Sequence, residues 1–363
     1  MGYMMYFAFI YLVLLVLRLI VLTVNFLWKP YLKSETYAGT KTVSLLIPAR
    51  NEAETLPLLF GKLLAQTHAP YEILVYDDDS DDNTWEVLQL FASISTAIKP
   101  IKGQKLPEGW LGKNHACYQL AMQARGNYFL FLDADVTPEP ELIERALAYA
   151  EKKKLALLSL FPEQETRTLG EKVTVPIMLQ ILLSLLPLPL VYFSHKPSLA
   201  AANGQFMLFD ADVYRKLQPH AWVKRNPVED IQIIRFYKKL HLRVATLLGN
   251  GTIKCRMYNN YQESLRGFSK NFTAFFGQSS FFLVLYLFIT TFGWIALFWL
   301  TPIGLTLGLV GLLLLVILRN IITKSPWHHL ILVPLQQLNY WVLAYYSLLG
   351  KKRNALIWKN RKI

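Results

Sequence analysis

The chain has 363 residues, and its 38 Lys and Arg residues against 25 Asp and Glu residues give a formal net charge of +13. Hydrophobic residues make up 53% of the chain and charged residues only 17%, against roughly 25% charged residues in soluble domains. This composition argues against an ordinary soluble enzyme and against disorder, which requires low hydrophobicity. Two cysteines are too few for a disulfide scaffold or a cysteine-rich metal site.

The first apolar block, residues 6–28, is long enough to cross a bilayer. It lacks the basic start and small-residue cleavage site of a signal peptide, so residues 1–29 are predicted to be a retained transmembrane anchor. Its one charged residue, Arg18, is expected to snorkel or to face another helix. Lysines follow the block but none precedes it, so the positive-inside rule places the N-terminus outside the cell and the following chain in the cytoplasm.

Residues 40–273 alternate short apolar runs with amphipathic segments. This alternation predicts an α/β domain with a mostly parallel sheet. The predicted strands lie at 43–48, 72–80, 126–136 and 154–162, and the predicted helices at 51–66, 81–91, 138–154 and 231–240. Ligands bind such sheets at the carboxyl ends of the strands, where the acidic clusters of this chain fall.

One apolar run inside this domain, residues 173–193, is long enough to resemble a membrane span. Pro176, Pro187 and Pro189 interrupt it, and proline breaks or kinks a helix. A crossing here would also put the acidic clusters on opposite sides of the membrane. We therefore interpret the run as an interfacial helix or an apolar wall for a lipid, with a buried core helix as the alternative.

Residues 274–350 form a C-terminal apolar region, which predicts a tight helical hairpin with spans at 279–300 and 303–322. A third stretch, 330–349, is weaker because it contains three amide side chains. If it spans the membrane, the basic tail at 351–363 lies outside; if it is re-entrant or interfacial, the tail stays inside, which we favour. The expected protein is a multi-pass cell-membrane protein with its α/β domain in the cytoplasm.

Two carboxylates, Asp133 and Asp135, follow a strand that is apolar enough to be fully buried. Negative charges at this position are costly unless a cation offsets them. Mg²⁺ and Mn²⁺ are bound by one or two carboxylates together with substrate phosphates, so this pair predicts a divalent metal site. A second pair with the same spacing, Asp210 and Asp212, is interpreted instead as a turn that caps the next helix.

Two further acidic groups lie at predicted helix starts. Residues 77–82 contain five aspartates, which can accept hydrogen bonds from a base or from sugar hydroxyls or contribute to a metal site. Helix capping is the alternative for Asp81 and Asp82. The other group is Glu229 and Asp230, which taken alone are compatible with simple partners of the helix dipole.

Four segments in this order, SLLIPARNEAETL, ILVYDDDSDDNT, FLFLDAD and VED, resemble the family 2 glycosyltransferases with a GT-A fold. The resemblance covers roughly residues 42–273. The segments LPEGWLGKNHA and AANGQFMLF are most similar to the membrane-anchored branch that glycosylates carotenoid or other polyisoprenoid lipids. Ceramide and diacylglycerol glucosyltransferases share the same broad layout.

The resemblance implies a role for each matching residue. Asp78 is expected to contact the uracil with support from Asp77, and Asp133 and Asp135 to hold Mg²⁺ or Mn²⁺ on the diphosphate. The residues implied in nucleotide-sugar binding are Pro48, Ala49, Arg50, Glu52, Asp77, Asp78, Lys113, Asp133, Gly204 and Gln205.

The implied catalytic base is Asp230, with Glu229 beside it. Arg256, Arg266 and Lys270 are expected near the diphosphate or anionic lipid headgroups. The alternative for these three is a basic amphipathic segment on the membrane surface.

The expected reaction is therefore the inverting transfer of one sugar, with UDP-glucose as the favoured donor, to a hydroxyl or carboxyl group of a lipid. The alternatives are a polyprenyl-phosphate sugar synthase and a polysaccharide synthase; the (Q/R)xxRW motif of processive enzymes has only an imperfect match at 262–268. A non-enzymatic membrane protein is disfavoured because Arg18 is nearly alone as an ionisable residue in a span. No nucleic-acid-binding motif is found.

Overall fold

The computed structural model of the protein describes residues 2–270, 272–353, 357–358 and 361–362. The strands are β1 (Val43–Ala49), β2 (Glu72–Asp77), β3 (Ile98–Lys102), β4 (Tyr128–Leu132), β5 (Val136–Pro138), β6 (Leu157–Phe161), β7 (Glu163–Gln164), β8 (Phe206–Asp210), β9 (Val244–Leu248), β10 (Ile253–Cys255), β11 (Ile357–Trp358) and β12 (Arg361–Lys362). The helices are α1 (Gly2–Trp28), α2 (Leu56–Leu64), α3 (Thr84–Ile94), α4 (Gly112–Gln123), α5 (Leu142–Lys153), α6 (Leu169–Thr174), α7 (Pro176–Leu185), α8 (Pro189–Phe193), α9 (Ala211–Leu217), α10 (Pro219–Trp222), α11 (Glu229–Lys239), α12 (Tyr261–Ser269), α13 (Ser280–Phe292), α14 (Pro302–Ile322) and α15 (Val333–Arg353). Short 3₁₀ helices cover Phe272–Phe276, Gly293–Trp299 and Trp327–Leu332.

The central sheet has the strand order β3-β2-β1-β4-β8-β6-β9 within the described residues. Neighbouring strands are parallel except at β8, which runs antiparallel to both β4 and β6. Every residue of β2 and β4 is buried, which explains why these strands are continuous apolar runs rather than alternating ones. The predicted mostly parallel α/β sheet is confirmed, and the carboxyl ends of β1, β2, β4 and β6 share one edge.

The edge strand β3 was not predicted from the sequence. Its sequence IKPIK contains Pro100, which argues against a central strand because proline cannot donate a ladder hydrogen bond. At the edge of a sheet this missing donor does no harm, and β3 pairs with β2 alone. The second predicted strand, 72–80, ends earlier, at Asp77, because the following aspartates form a turn.

The apolar run 173–193 is broken into α6, α7 and α8, and Pro176 and Pro189 each occupy the first position of a helix. Asn25 of α1 forms hydrogen bonds with the backbone at the break between α7 and α8. The Asn25 Nδ2 group donates to the carbonyl oxygens of Leu183 and Leu186 at 3.0 Å each, and its Oδ1 accepts from the backbone N–H of Leu188 at 2.7 Å. These bonds satisfy backbone groups that a helix end leaves without partners. The interfacial position of the run stays a prediction.

Three described helices are long and apolar enough to cross a membrane: Tyr3–Trp28, Ser280–Trp299 and Pro302–Ile322. The second consists of α13 and the 3₁₀ helix that continues it. The predicted spans at 279–300 and 303–322 coincide with the second and third of these helices, and Thr301 caps the third by accepting from the Gly304 N–H at 3.2 Å. That they cross the membrane as a hairpin stays a prediction.

The third stretch, 330–349, belongs to α15 and directs two of its amides towards the α/β domain. Gln336 accepts a hydrogen bond from Gln180 at 3.1 Å, and Asn339 donates to Thr174 Oγ1 at 2.9 Å. The side of the membrane on which the basic tail lies stays a prediction, and the side chains of 351–363 lie outside the described residues.

The chain that leaves α1 is attached directly to the sheet. The backbone N–H of Leu248 in β9 donates to the Pro30 carbonyl at 2.8 Å, and Tyr31 forms a parallel bridge with Leu248. The Tyr31 hydroxyl also donates to the Ile322 carbonyl at the end of α14, at 3.1 Å. The sheet edge and two candidate spans therefore meet at one junction, which we call the Tyr31 junction.

Candidate active site

The carboxyl ends of β1, β2 and β4 border a cavity of about 130 Å³, which we call the donor cavity. Every lining residue except Ala116 and Ala134 is one that the sequence analysis selected. The lining residues are Pro48, Ala49, Arg50, Glu52, Asp78, Lys113, Ala116, Asp133, Ala134 and Asp135. The structure thus brings together residues that lie up to 87 positions apart in the chain.

Arg50 holds the acidic turn after β2 in place. Its side chain is buried, and Nη1 donates to the carbonyl oxygens of Asp78 at 2.6 Å and Asp79 at 2.5 Å. Nη2 donates to Asp81 Oδ2 at 3.3 Å, so Asp81 pairs with Arg50 and does not cap α3. Asp82 accepts from the N–H of the first residue of α3, Thr84, at 3.0 Å, which agrees with the helix-start alternative.

Lys113, in the first turn of α4, joins two of the predicted acidic groups. Its Nζ lies 2.9 Å from Asp133 Oδ1 and 3.3 Å from Glu229 Oε1. Burial opposes the charge on Lys113, but the two carboxylates outweigh this effect and raise its pKa above the usual value. The adjacent Asn114 donates to the carbonyl oxygen of Val223 at 2.9 Å, and so fixes the loop before α11. The sequence analysis did not select Asn114, although it directly follows Lys113, which was predicted to bind the nucleotide-sugar.

Asp230 lies in the first turn of α11, and its orientation is fixed by backbone N–H groups. Its Oδ2 accepts from Gly204 at 3.0 Å and its Oδ1 from Ile231 at 2.7 Å. Burial and the neighbouring Glu229 carboxylate raise the pKa of Asp230 to about 7, while these N–H groups and Lys113 oppose the rise. A carboxyl group with a pKa near neutrality can accept a proton and release it again, as a general base must.

A side chain at Gly204 would crowd the Lys113–Glu229 pair. A Cβ atom at this position would be 3.1 Å from Glu229 Oε1 and 3.2 Å from Lys113 Nζ. Glycine therefore allows the Gly204 N–H to reach Asp230 without displacing the Lys113–Glu229 pair.

Gln205 connects the predicted metal pair to β10. Its Nε2 lies 3.4 Å from Asp135 Oδ1 and 2.9 Å from Cys255 Sγ. The backbone N–H of Gln205 is held by Asn203 Oδ1 at 2.8 Å. The sequence analysis used the cysteines only to exclude a disulfide scaffold and a cysteine-rich metal site. It did not foresee the contact of Cys255, because a lone cysteine carries no local signal for a distant partner.

A comparison with known protein families supports the resemblance that the sequence showed. Residues 44–218 match the family model described as Glycosyl transferase family 2. The chain carries a family 2 glycosyltransferase domain. This part of the chain thus resembles an enzyme family, and the fold of the domain is of the GT-A type that the sequence predicted.

The relatives of this glycosyltransferase domain include two curated proteins named 4,4'-diaponeurosporenoate glycosyltransferase. The one from Staphylococcus haemolyticus (strain JCSC1435) is 26% identical over 235 residues, which are 64% of this chain and 61% of the relative. The one from Staphylococcus aureus (strain USA300) is 26% identical over 235 residues, 64% of this chain and 60% of the relative. The chain therefore spans about 60% of the length of these relatives.

A solved structure extends the likeness to the whole fold. It is the mannosyltransferase PcManGT from Pyrobaculum calidifontis in complex with GDP-Man and Mn²⁺, with a TM-score of 0.58 and 14% identity. The alignment covers 96% of this chain and 99% of that chain. At this identity the likeness concerns the fold and no individual residue.

The glycosyltransferase domain has a donor set suited to a divalent cation. Asp133 and Asp135 both line the donor cavity, and Asp133 is paired with the Lys113 cation. No group of three or more His, Cys, Asp or Glu side chains among the described residues is arranged to hold a metal. A Mg²⁺ or Mn²⁺ site does not require one, because substrate phosphates and water supply the remaining ligands. The residues therefore fit a cation bound together with the donor.

The remaining predicted residues lie away from the donor cavity. Asp77 is buried and supports the acidic turn by accepting from the Ser80 N–H at 3.2 Å. Arg256 pairs with the buried Glu171 of α6 at 3.0 Å, while Arg266 is exposed and Lys270 half-buried. None of these four predicted residues, Asp77, Arg256, Arg266 and Lys270, lines the cavity in the part of the chain that the structure describes. Their roles towards ligands stay predictions.

Proposed function

We propose that the chain transfers one sugar from a UDP-sugar, with UDP-glucose favoured, to a carotenoid-type or other isoprenoid lipid acceptor, with inversion at the anomeric carbon. The observation that carries this proposal is the Lys113 bridge, in which one cation contacts Asp133 of the predicted metal pair and Glu229, the neighbour of the predicted base Asp230. The acceptor class rests on the curated relatives, whose names state 4,4'-diaponeurosporenoate as the acceptor.

On the donor side, Asp78 binds the uracil at the turn that Arg50 holds, and Asp133 and Asp135 hold Mg²⁺ or Mn²⁺. When bound, the cation supplies positive charge that stabilises the diphosphate leaving group. The Lys113 ammonium supplies further positive charge from the protein itself. Charge that is already oriented in a partly buried site is more effective than charge that water must reorganise to provide.

On the acceptor side, Asp230 takes the proton of an acceptor hydroxyl while the oxygen attacks the anomeric carbon. The Gly204 N–H holds the Asp230 carboxylate in position for this transfer. A carboxylate acceptor is already ionised at neutral pH and has no proton to give. The importance of Asp230 therefore depends on the chemistry of the acceptor, which makes it a diagnostic residue.

The test measures donor turnover by purified protein in nanodiscs with Mn²⁺ or Mg²⁺ and either UDP-glucose or GDP-mannose. The acceptors are isoprenoid lipids of equal length ending in a hydroxyl or a carboxyl group, and mass spectrometry detects one added hexose. Asp230→Asn is expected to slow transfer to the hydroxyl acceptor at least 100-fold, and transfer to the carboxylate much less. Asp212→Asn is the matched control, because the same change in the second DAD sequence affects an exposed residue at the start of α9.

Several outcomes would contradict the proposal. The donor assignment fails if no UDP-sugar gives a product and UDP shows no metal-dependent binding. A product with retained anomeric configuration excludes a single displacement. A sugar added to a polyprenyl phosphate, or a chain of several sugars, would favour the polyprenyl-phosphate sugar synthase or the polysaccharide synthase instead.

We also propose that the protein lies in the cell membrane with the glycosyltransferase domain in the cytoplasm. The support is the three apolar helices and the lysines that follow α1. Both native cysteines are buried, so Lys33→Cys provides one exposed thiol just after the first helix. A membrane-impermeant maleimide should label this variant only after the cells are permeabilised, and labelling of intact cells would refute the orientation.

A further inference from the structure

A second cavity, of about 430 Å³, lies between α1, α7 and α13, and we call it the helix cavity. It shares no lining residue with the donor cavity. Its lining is mostly Leu, Val, Ile and Phe side chains, with Tyr11, Ser184, Tyr286 and Thr290 as uncharged polar exceptions. Arg18 is the one charged side chain among the described residues that line it.

The Arg18 guanidinium is poorly satisfied by the protein. Its Nη2 is 3.5 Å from Ser184 Oγ, at the limit of a hydrogen bond, and its Cζ lies 5.8 Å from the centroid of the Tyr286 ring. Its Nε is buried and has no hydrogen-bond partner. A second guanidinium, that of Arg319 in α14, is close enough to interact electrostatically with Arg18.

No acidic residue of these helices balances the two cations. The sequences of α1, α7, α13 and α14 contain neither Asp nor Glu. Neither Arg18 nor Arg319 forms an ion pair within the described residues. An unpaired guanidinium is expensive at membrane depth, so the geometry calls for an anion from outside the chain.

The depth of Arg18 restricts which anion can reach it. Arg18 lies ten residues before the end of α1 at Trp28, or about 15 Å along the axis at 1.5 Å per residue. This distance is half of the ~30 Å hydrocarbon thickness, whereas phosphodiester headgroups stay at the membrane surface. A single carboxylate on an apolar chain can enter, because it can cross the hydrocarbon as the neutral acid and ionise beside the guanidinium.

We propose that the helix cavity is an entry site for the lipid acceptor in its carboxylate form, with the apolar chain in the cavity and the carboxylate paired with Arg18 until the acceptor leaves for the donor cavity. This inference rests on the proposed function, since it assigns the chemical class of the acceptor. Arg18 then selects acids over alcohols of the same chain before transfer takes place. The relatives named for 4,4'-diaponeurosporenoate carry the ending of a carboxylate in their substrate name, in agreement with this class.

The test compares retinoic acid with retinol, which share one isoprenoid chain and differ in the end group. Binding is measured by quenching of tryptophan fluorescence, with the full-length protein in phosphatidylcholine nanodiscs at about pH 8, where the acid is ionised. The wild-type protein is expected to bind the acid roughly 10- to 100-fold more tightly than the alcohol. In Arg18→Gln this preference should disappear while the affinity for retinol stays the same.

Control variants separate the charge from the cavity. Lys29→Gln removes an exposed cation just after the same helix and should leave the preference intact. Leu285→Trp narrows the cavity and should weaken both ligands alike. Arg18→Lys retains a charge and should keep part of the preference.

Equal affinity of the wild-type protein for the acid and the alcohol would overturn the proposal without any variant. Survival of the preference in Arg18→Gln would overturn it as well. UDP binding is measured on the same samples and reports the donor cavity independently. A wild-type protein that binds UDP but shows no acid preference contradicts this inference alone, whereas absent UDP binding contradicts the proposed function.

Discussion

Replacement of Lys113 by Gln is expected to destabilise the glycosyltransferase domain and, at the same time, to strengthen its binding of Mn²⁺. At an effective dielectric constant of about 20, charges at the observed 2.9 Å and 3.3 Å attract by roughly 6 and 5 kcal/mol before desolvation is subtracted. Removing one partner of a buried pair costs about 3–5 kcal/mol net. The Lys113 and Asp133 side chains are 23% and 25% exposed, so we expect a smaller loss of about 2–3 kcal/mol.

This loss has a predicted temperature shift and a predicted pH dependence. For a domain of this size, it lowers Tm by about 4–10 °C. The variant lacks the Lys113 charge that opposes the raised pKa of Asp230, so the pKa of Asp230 in the folded state rises further. Carboxyl groups with raised folded-state pKa values destabilise the fold at high pH and do so less as they become protonated. The difference in Tm between the wild type and the variant should therefore be larger at pH 8 than at pH 5.

The effect of Mn²⁺ on Tm is a second test of the Lys113–Asp133 contact. In the wild type, Mn²⁺ must compete with Lys113 for Asp133, whereas in the variant it meets no competitor. The increase in Tm on adding Mn²⁺, measured by thermal scanning in detergent, should be larger in the variant. The control is Lys152→Gln, which breaks a pair with Glu35 at the same 2.9 Å distance but with the lysine 62% exposed, and it should cost less than about 1 kcal/mol.

The reasoning fails if the Lys113→Gln variant and the wild type have the same Tm at pH 8. It also fails if the variant gains no more from Mn²⁺ than the wild type does. A loss of stability that is independent of pH would indicate that Lys113 acts by packing its aliphatic stem rather than by neutralising carboxylates.

Two further predictions concern Asp230 and its neighbour Gly204. With a hydroxyl acceptor, kcat/KM should increase with pH as Asp230 loses its proton near its pKa of about 7, and a flat profile from pH 5 to 9 would contradict its role as base. Gly204→Ala places a Cβ 3.1 Å from Glu229 Oε1. We therefore expect turnover to fall at least tenfold, with Tm lowered by only a few degrees. Turnover equal to that of the wild type would show that this close approach is unimportant.

The composition of the donor cavity was predictable from sequence because its residues follow strands. A parallel sheet brings the carboxyl ends of distant strands to one edge. Asp78 and Asp133 therefore lie near each other regardless of the conformation of the loops between them. The second DAD sequence was also read correctly: Asp210 caps α9 by accepting from the Val213 N–H at 3.0 Å. Capping follows from local spacing alone and needs no distant partner.

Contacts between distant elements were not predictable in this way. Nothing in the sequence around Asn25 shows that it closes the break between α7 and α8, because its partners are backbone groups that carry no sequence signal. The amide of Gln336 weakened the prediction of a third span, and its contact with Gln180 explains why a polar residue lies there. A periodicity argument identifies the polar face of a helix but cannot name the surface that meets it.

The Tyr31 junction has a consequence for the choice of substrate. The edge strand β9 is hydrogen-bonded to the exit of α1, and the Tyr31 hydroxyl is hydrogen-bonded to the end of α14, so these bonds oppose movement of the sheet relative to the apolar helices. A fixed spacing between the sheet and the apolar helices also fixes how far an acceptor must extend to reach the active site. We therefore expect the protein to discriminate among acceptors by chain length as well as by the chemistry of the end group.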